Sequence, residues 1–142
     1  MAGEVMATSG VVWQGGCLCG NTRFQVTGQP LALLYCHCRM CQRAAGAPVV
    51  AWATFPQAGF AWTGSPPRIY RSSPQARRWF CADCGSPLAF QADAEPDRLD
   101  LATACFDRPD LLPPDHHVWV SSQQPWLHQS DGLPRHSRDS AS

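Results

Sequence analysis

Apolar and polar side chains alternate along much of this chain, in short runs that stop at glycine or proline. "VVWQGG", "TRFQVTG", "PVVAWATF", "GFAWTG", "RIYRSS", "RRWFC", "PLAFQ", "RLDLATACF" and "HVWVS" each fit a strand with one face toward a core. Thirteen prolines argue against long helices. The expected fold is therefore mainly β, built of small antiparallel sheets. One segment breaks the pattern: in "CRMCQRAAG", residues 38–46, two cysteines lie three apart and Gly46 can end the turn, which predicts a single short helix. "FDRPDLLPPDHH" is a proline-rich connector, since a β-like run follows it. After Trp126 the apolar period is lost and Ser, Asp, Arg and Gly take over, so residues 128–142 are expected to form an unordered tail. With a flexible N-terminus over residues 1–10, one domain over residues 11–127 remains, and no internal repeat divides it.

Charge changes this picture little. Eleven cationic and eleven acidic side chains cancel, so no electrostatic footprint for a phosphate backbone is visible and nucleic acid is not the expected partner. All eleven cations are arginine, which excludes Schiff-base chemistry and the P-loop, both of which need lysine. No run approaches the length of a membrane span, and the first residues lack a signal-peptide pattern. The expected location is cytoplasmic.

The eight cysteines change the picture most. They fall as Cys17-x-Cys19, Cys36-x-Cys38-x-x-Cys41 and Cys81-x-x-Cys84, with Cys105 alone. Thiols one or two residues apart bridge badly to each other but converge on one cation, so metal is favoured over disulfides. Each two-thiol segment is followed at once by glycine, Gly20 or Gly85, as in a knuckle that turns the backbone around a metal. Two knuckles make one tetrahedral site, and Cys17, Cys19, Cys81 and Cys84 are expected to hold a structural zinc. Cys36, Cys38 and Cys41 supply three corners of a second site. Spacing leaves its fourth corner either open, as in catalytic zinc, or closed by Cys105, His37, His116 or His117. Soft thiolates suit iron as well, with zinc the default.

"GGCLCGNTRF", "CHCRMCQRAAGAP", "FCADCGSPLAF" and "HVWVSSQQPW" together resemble, in order, the blocks of the glutathione-dependent formaldehyde-activating enzyme family, which includes the centromere protein V domain. The resemblance spans about residues 13–126. It implies an Mss4-like fold and two zincs per chain, with Cys17, Cys19, Cys81 and Cys84 as the structural set and Cys36, Cys38 and Cys41 as the open, reactive set. It also implies a carbon–sulfur lyase acting on a thiol–aldehyde adduct such as S-(hydroxymethyl)glutathione. The alternative is a zinc-stabilised binding module without turnover, of the centromere protein V type. A small-molecule thiol adduct is the implied partner, no membrane partner is expected, and exposed sheet edges allow a homodimer.

Further residues divide between chemistry and packing. His37, Asp83, His116 and His117 are candidates to move the proton that such a reaction releases. His37, between two ligand thiols on an extended segment, points away from them and reads as a supporting residue. Cys105 sits in an apolar run and reads as core. Trp119 reads as packing, while Trp126 is a candidate pocket wall. Arg39 and Arg43 flank the cluster and can bind carboxylates; Arg77 and Arg78 read as a solvated strand edge. Gln42 reads as a structural amide.

Overall fold

The computed structural model describes residues 10–140; residues 1–9, within the expected flexible N-terminus, and residues 141–142 lie outside the described residues. The alternating runs form ten strands: β1 (Val12–Gly16), β2 (Arg23–Thr27), β3 (Ala32–Cys36), β4 (Val50–Pro56), β5 (Phe60–Trp62), β6 (Arg68–Ser73), β7 (Ala76–Phe80), β8 (Pro87–Ala92), β9 (Arg98–Ala102) and β10 (His117–Val118). The fold is mainly β, as the period of two requires. β1, β2 and β5 make a small sheet in the order β1-β2-β5. The other seven form one larger sheet, β10-β3-β4-β9-β8-β7-β6, instead of several small ones. Its pairings are antiparallel except β10 with β3, which is parallel.

In β1 and β2 every second residue is buried, and Trp13, Phe24 and Val26 face the larger sheet. They pack with Phe55, Leu88, Leu101 and Phe106 into the main core. Phe106 is its hub: its ring lies 5.1 Å from Phe24, 5.8 Å from Phe55 and 6.4 Å from Trp13. Gly15 lets β1 pass close to this hub, since a Cβ there would stand 2.4 Å from the Phe24 ring and 2.5 Å from the Cys105 carbonyl. A second, smaller apolar cluster gathers Cys36, Cys41, Trp52, Ala102 and Val118. It lies beneath the only α-helix among the described residues.

That helix, α1 (Arg39–Ala45), is the one its sequence predicts. Cys38 caps it, the sulfur accepting from the Cys41 amide, and Gly46 ends it at φ 63°, where a side chain would be strained.

The C-terminal segment departs from expectation. Residues 128–140 are not a loose tail, and the folded unit runs beyond residue 127. The amides of His117, Trp119, Val120 and Ser121 donate to the carbonyls of Pro134, Arg138, His136 and Ser137, and the His136 amide returns a bond to the His117 carbonyl. Arg135 lies beside His117 in a parallel bridge. The segment thus covers the free edge of β10, which would otherwise expose unpaired backbone groups. Lacking apolar period, it is held by backbone hydrogen bonds, which sequence patterning does not report.

Candidate metal centres

The β1–β2 turn and the β7–β8 turn bring the two knuckles together. Gly20 and Gly85 both take positive φ, 83° and 78°, and their amides donate back to the carbonyls of Cys17 and Cys81. Each turn therefore closes tightly and presents two sulfurs to one point. The sulfurs of Cys17, Cys19, Cys81 and Cys84 lie within 4.8 Å of one another. Zinc–sulfur bonds of about 2.3 Å place tetrahedral sulfurs about 3.8 Å apart. Cys17 to Cys19 is 3.5 Å and Cys19 to Cys81 is 3.8 Å, so the cluster has the dimensions of a tetrahedral metal site.

Its surroundings favour thiolate at Cys81 and Cys84. The Thr22 amide donates to Cys17 Sγ, and those of Asp83 and Cys84 donate to Cys81 Sγ, all at 3.3 Å. The Ser86 hydroxyl, 3.1 Å from Cys84 Sγ, is the main reason that thiol is brought down to about 5. All eight cysteines are free of disulfides.

The second cluster forms where β3 runs into α1. Cys36, Cys38 and Cys41 place their sulfurs within the same 4.8 Å limit, and among the described residues no histidine, carboxylate or further cysteine joins them. Cys36 and Cys41 are buried, and Cys38 is half-buried. Hydrogen bonds from the Cys36 and Cys41 thiols hold the Cys38 thiol well below the ordinary range. Hydrogen bonds with Cys38 and Cys41, together with burial, drive Cys36 upward, so deprotonation is favoured at Cys38 and opposed at Cys36.

None of the residues considered for closing this site reaches it. His37 is fully buried but turns to the other side of β3, as strand alternation requires, with Nε2 2.9 Å from His117 Nδ1. His117 Nε2 bonds in turn to the Asp131 carboxylate at 2.8 Å. Burial, with the charges of His117 and Arg135, lowers His37 to about 4 and keeps it neutral at neutral pH. His116 pairs with Asp115 at 2.6 Å. Asp83 accepts from Asn21 at the rim of the four-sulfur cluster. Cys105 points at the Pro87 carbonyl, packs against both cores and is raised to about 11 by burial.

Gln42 ties α1 down, its amide donating to the carbonyls of His37 at 2.6 Å and Ser122 at 3.1 Å. Arg39 is engaged with the Gln42 oxygen at 2.5 Å. Trp119 packs on the smaller core, and its φ of 59° turns the chain out of β10. Trp126 is 65% exposed and walls a shallow groove with Arg39, Arg43 and Gln124.

Arg78 is the residue the sequence reading missed. β7 is an interior strand, between β6 and β8, so Arg78 is not on a sheet edge. Its guanidinium lies over the Phe90 ring, 4.8 Å from the centroid, and donates to Cys41 Sγ at 3.5 Å. It also lines a cavity of about 510 Å³ whose walls include Trp52, Trp79 and Phe80, with Arg43 at the side. No local signal marks this role, because Arg77, next to it, bonds instead to Gln91.

Comparison with known proteins bears on the family and the fold. A family model described as "Glutathione-dependent formaldehyde-activating enzyme" matches residues 12–122. No curated protein sequence matches. A crystal structure of a Rhodobacter sphaeroides protein is similar at a TM-score of 0.55 and 18% identity, covering 87% of this chain and 98% of that one, which shows a common fold.

Proposed function

The chain belongs to the glutathione-dependent formaldehyde-activating enzyme family, and on that premise we propose that it is a zinc-dependent carbon–sulfur lyase acting on a thiol–aldehyde adduct such as S-(hydroxymethyl)glutathione. Two zincs per chain are part of the proposal, one on Cys17, Cys19, Cys81 and Cys84 and one on Cys36, Cys38 and Cys41. The observation that carries the reading is the contrast in donors: four sulfurs converge at one cluster and three at the other. Four thiolates close a structural site, whereas three protein ligands leave a position for a ligand from outside. Zinc suits the reaction because adding a thiol to an aldehyde, or reversing that step, transfers no electrons.

When bound at the three-sulfur cluster, zinc supplies Lewis-acid stabilisation of the sulfur or oxygen of the adduct. The protein's own part is to position and to balance charge. Cys41 is held by α1 and by the Arg78 guanidinium, whose positive charge offsets the excess negative charge of three thiolates. On this reading the cavity beside Arg78 receives the carrier, next to the side chain that touches Cys41. In the lyase direction that bond breaks, sulfur keeps the electron pair as thiolate, and the hydroxyl proton is lost as the aldehyde C=O forms. None of His37, Asp83, His116 and His117 joins the three-sulfur cluster, and on this reading the hydroxyl proton passes to solvent.

The test is metal content together with hemithioacetal decay followed by NMR. Two zincs per chain and faster decay are expected. A Cys38→Ser variant should keep its fold and one zinc while losing the acceleration. No acceleration for any thiol carrier would overturn the enzymatic reading and leave a zinc-stabilised binding module.

A further inference from the structure

We propose that the cavity between α1 and the β6–β8 sheet is a carboxylate-binding pocket, and that the thiol carrier is an anionic mercapto acid gripped by Arg43 and Arg78. The inference deepens the lyase reading and rests on it for the identity of the carrier as a thiol.

Three observations carry it. First, the cavity, about 510 Å³, has room for a small organic acid and has apolar walls at Trp52, Trp79 and Phe80. Second, both cations that line it have no carboxylate partner among the described residues. Arg78 has a sulfur and an aromatic face, and Arg43, in the last turn of α1, has no ion pair. Four other arginines are ion-paired, Arg23 with Asp107, Arg71 with Asp93, Arg98 with Glu95 and Arg108 with Asp110, and Arg39, Arg77 and Arg135 bond to glutamine oxygens. Guanidinium groups left over at a semi-enclosed apolar cavity are suited to a carboxylate brought by a ligand. Third, the Ser72 hydroxyl on the same wall is buried with no hydrogen-bond partner, and such a group is costly unless something bonds to it.

The placement of Arg78 links the pocket to the cluster. Arg78 lines the cavity and donates a hydrogen bond to Cys41 Sγ, so a carboxylate paired with it lies one guanidinium away from Cys41. A carrier whose carboxylate is a few bonds from its sulfur can therefore span pocket and cluster together. No acidic side chain lines the cavity among the described residues, so an ammonium group on the carrier gains no partner there.

Binding is measured on the full chain by calorimetry and by NMR shifts of the Trp79 and Ser72 amides, using 3-(methylthio)propanoate, its amide, and S-methylcysteine. The methyl cap prevents a thiolate from binding metal, so affinity reports the pocket. The acid should bind at least tenfold tighter than the amide and than S-methylcysteine, and added salt should shrink the gap. Arg43→Gln and Arg78→Gln should each reduce the preference, and Arg78→Lys should restore part of it. Equal affinity of acid and amide for the wild-type chain, or shifts that avoid Ser72 and Trp79, would overturn the proposal, and neither outcome depends on a variant folding. Failure of the lyase reading is a separate result: the acid preference then persists without turnover, whereas turnover indifferent to carrier charge sinks the pocket alone.

Discussion

Replacing one cysteine in each cluster tests the two proposed metal sites by stability. Cys19 and Cys81 lie 62 residues apart in sequence, so a metal at the four-sulfur cluster closes a long loop. Treated as a crosslink, a loop of that length constrains the unfolded chain by about 4 kcal/mol at 25 °C. Cys36 and Cys41 are separated by only about five residues, and the same relation gives about 2 kcal/mol. Cys81→Ser should thus cost about 2 kcal/mol more than Cys38→Ser, a Tm lower by roughly 6–8 °C in a domain of this size. Serine is the useful replacement because its oxygen still accepts the amides that now bond to Cys38 and Cys81. Circular dichroism melts, with metal analysis of each variant, measure both effects. The reasoning is refuted if Cys38→Ser melts as low as Cys81→Ser, or if either substitution strips the chain of both metals.

Other consequences follow from single side chains. Burial lifts the Asp100 carboxyl from 3.8 to about 6, against the opposing hydrogen bond from Thr54 and the charge of Arg98. The folded state then holds the proton more tightly, so stability falls as pH rises from about 4 through 6, by at most about 3 kcal/mol. The advantage of Asp100→Asn over wild type in denaturant melts should grow between pH 5 and 8; a constant difference would refute this. Asp131→Ala leaves His117 Nε2 buried without its partner, so hydrogen exchange at the His117, Trp119 and His136 amides should speed up, while unchanged protection would mean the C-terminal segment is held independently. Gly15→Ala has to displace the Phe24 ring and the backbone at Cys105 and Phe106, and should destabilise by about 1–3 kcal/mol; an unchanged melt would show that the main core is loose.

Much of the fold and of the grouping of the cysteines was legible because it is local. Alternation with period two needs only neighbouring residues, and it located most of the strands, while the spacing of Cys38 and Cys41 ahead of Gly46 located the one helix among the described residues. The knuckles are local as well: a thiol pair followed by Gly20 or Gly85 carries its own turn geometry. What alternation does not carry is sheet membership, which is why seven strands joined in one sheet where several small ones were expected. The unordered tail was inferred from lost apolar period, yet residues 128–140 need none, since their carbonyls and amides complete the edge of β10.

The clustered thiols, their grouping and the resemblance to a family were therefore present in the chain as written, because cysteine spacing directly limits which sulfurs can share a cation. The surroundings of those thiols came from pairings far apart in sequence. Arg78 reaches Cys41 across 37 residues, and His37 meets His117 across 80. Such contacts depend on which strands lie side by side and in what register, a global outcome of packing. The sheet order turned Arg78 from a presumed solvated edge residue into the link between cavity and cluster. It also gave His37, already expected to point away from the thiols, its partner in the C-terminal clasp.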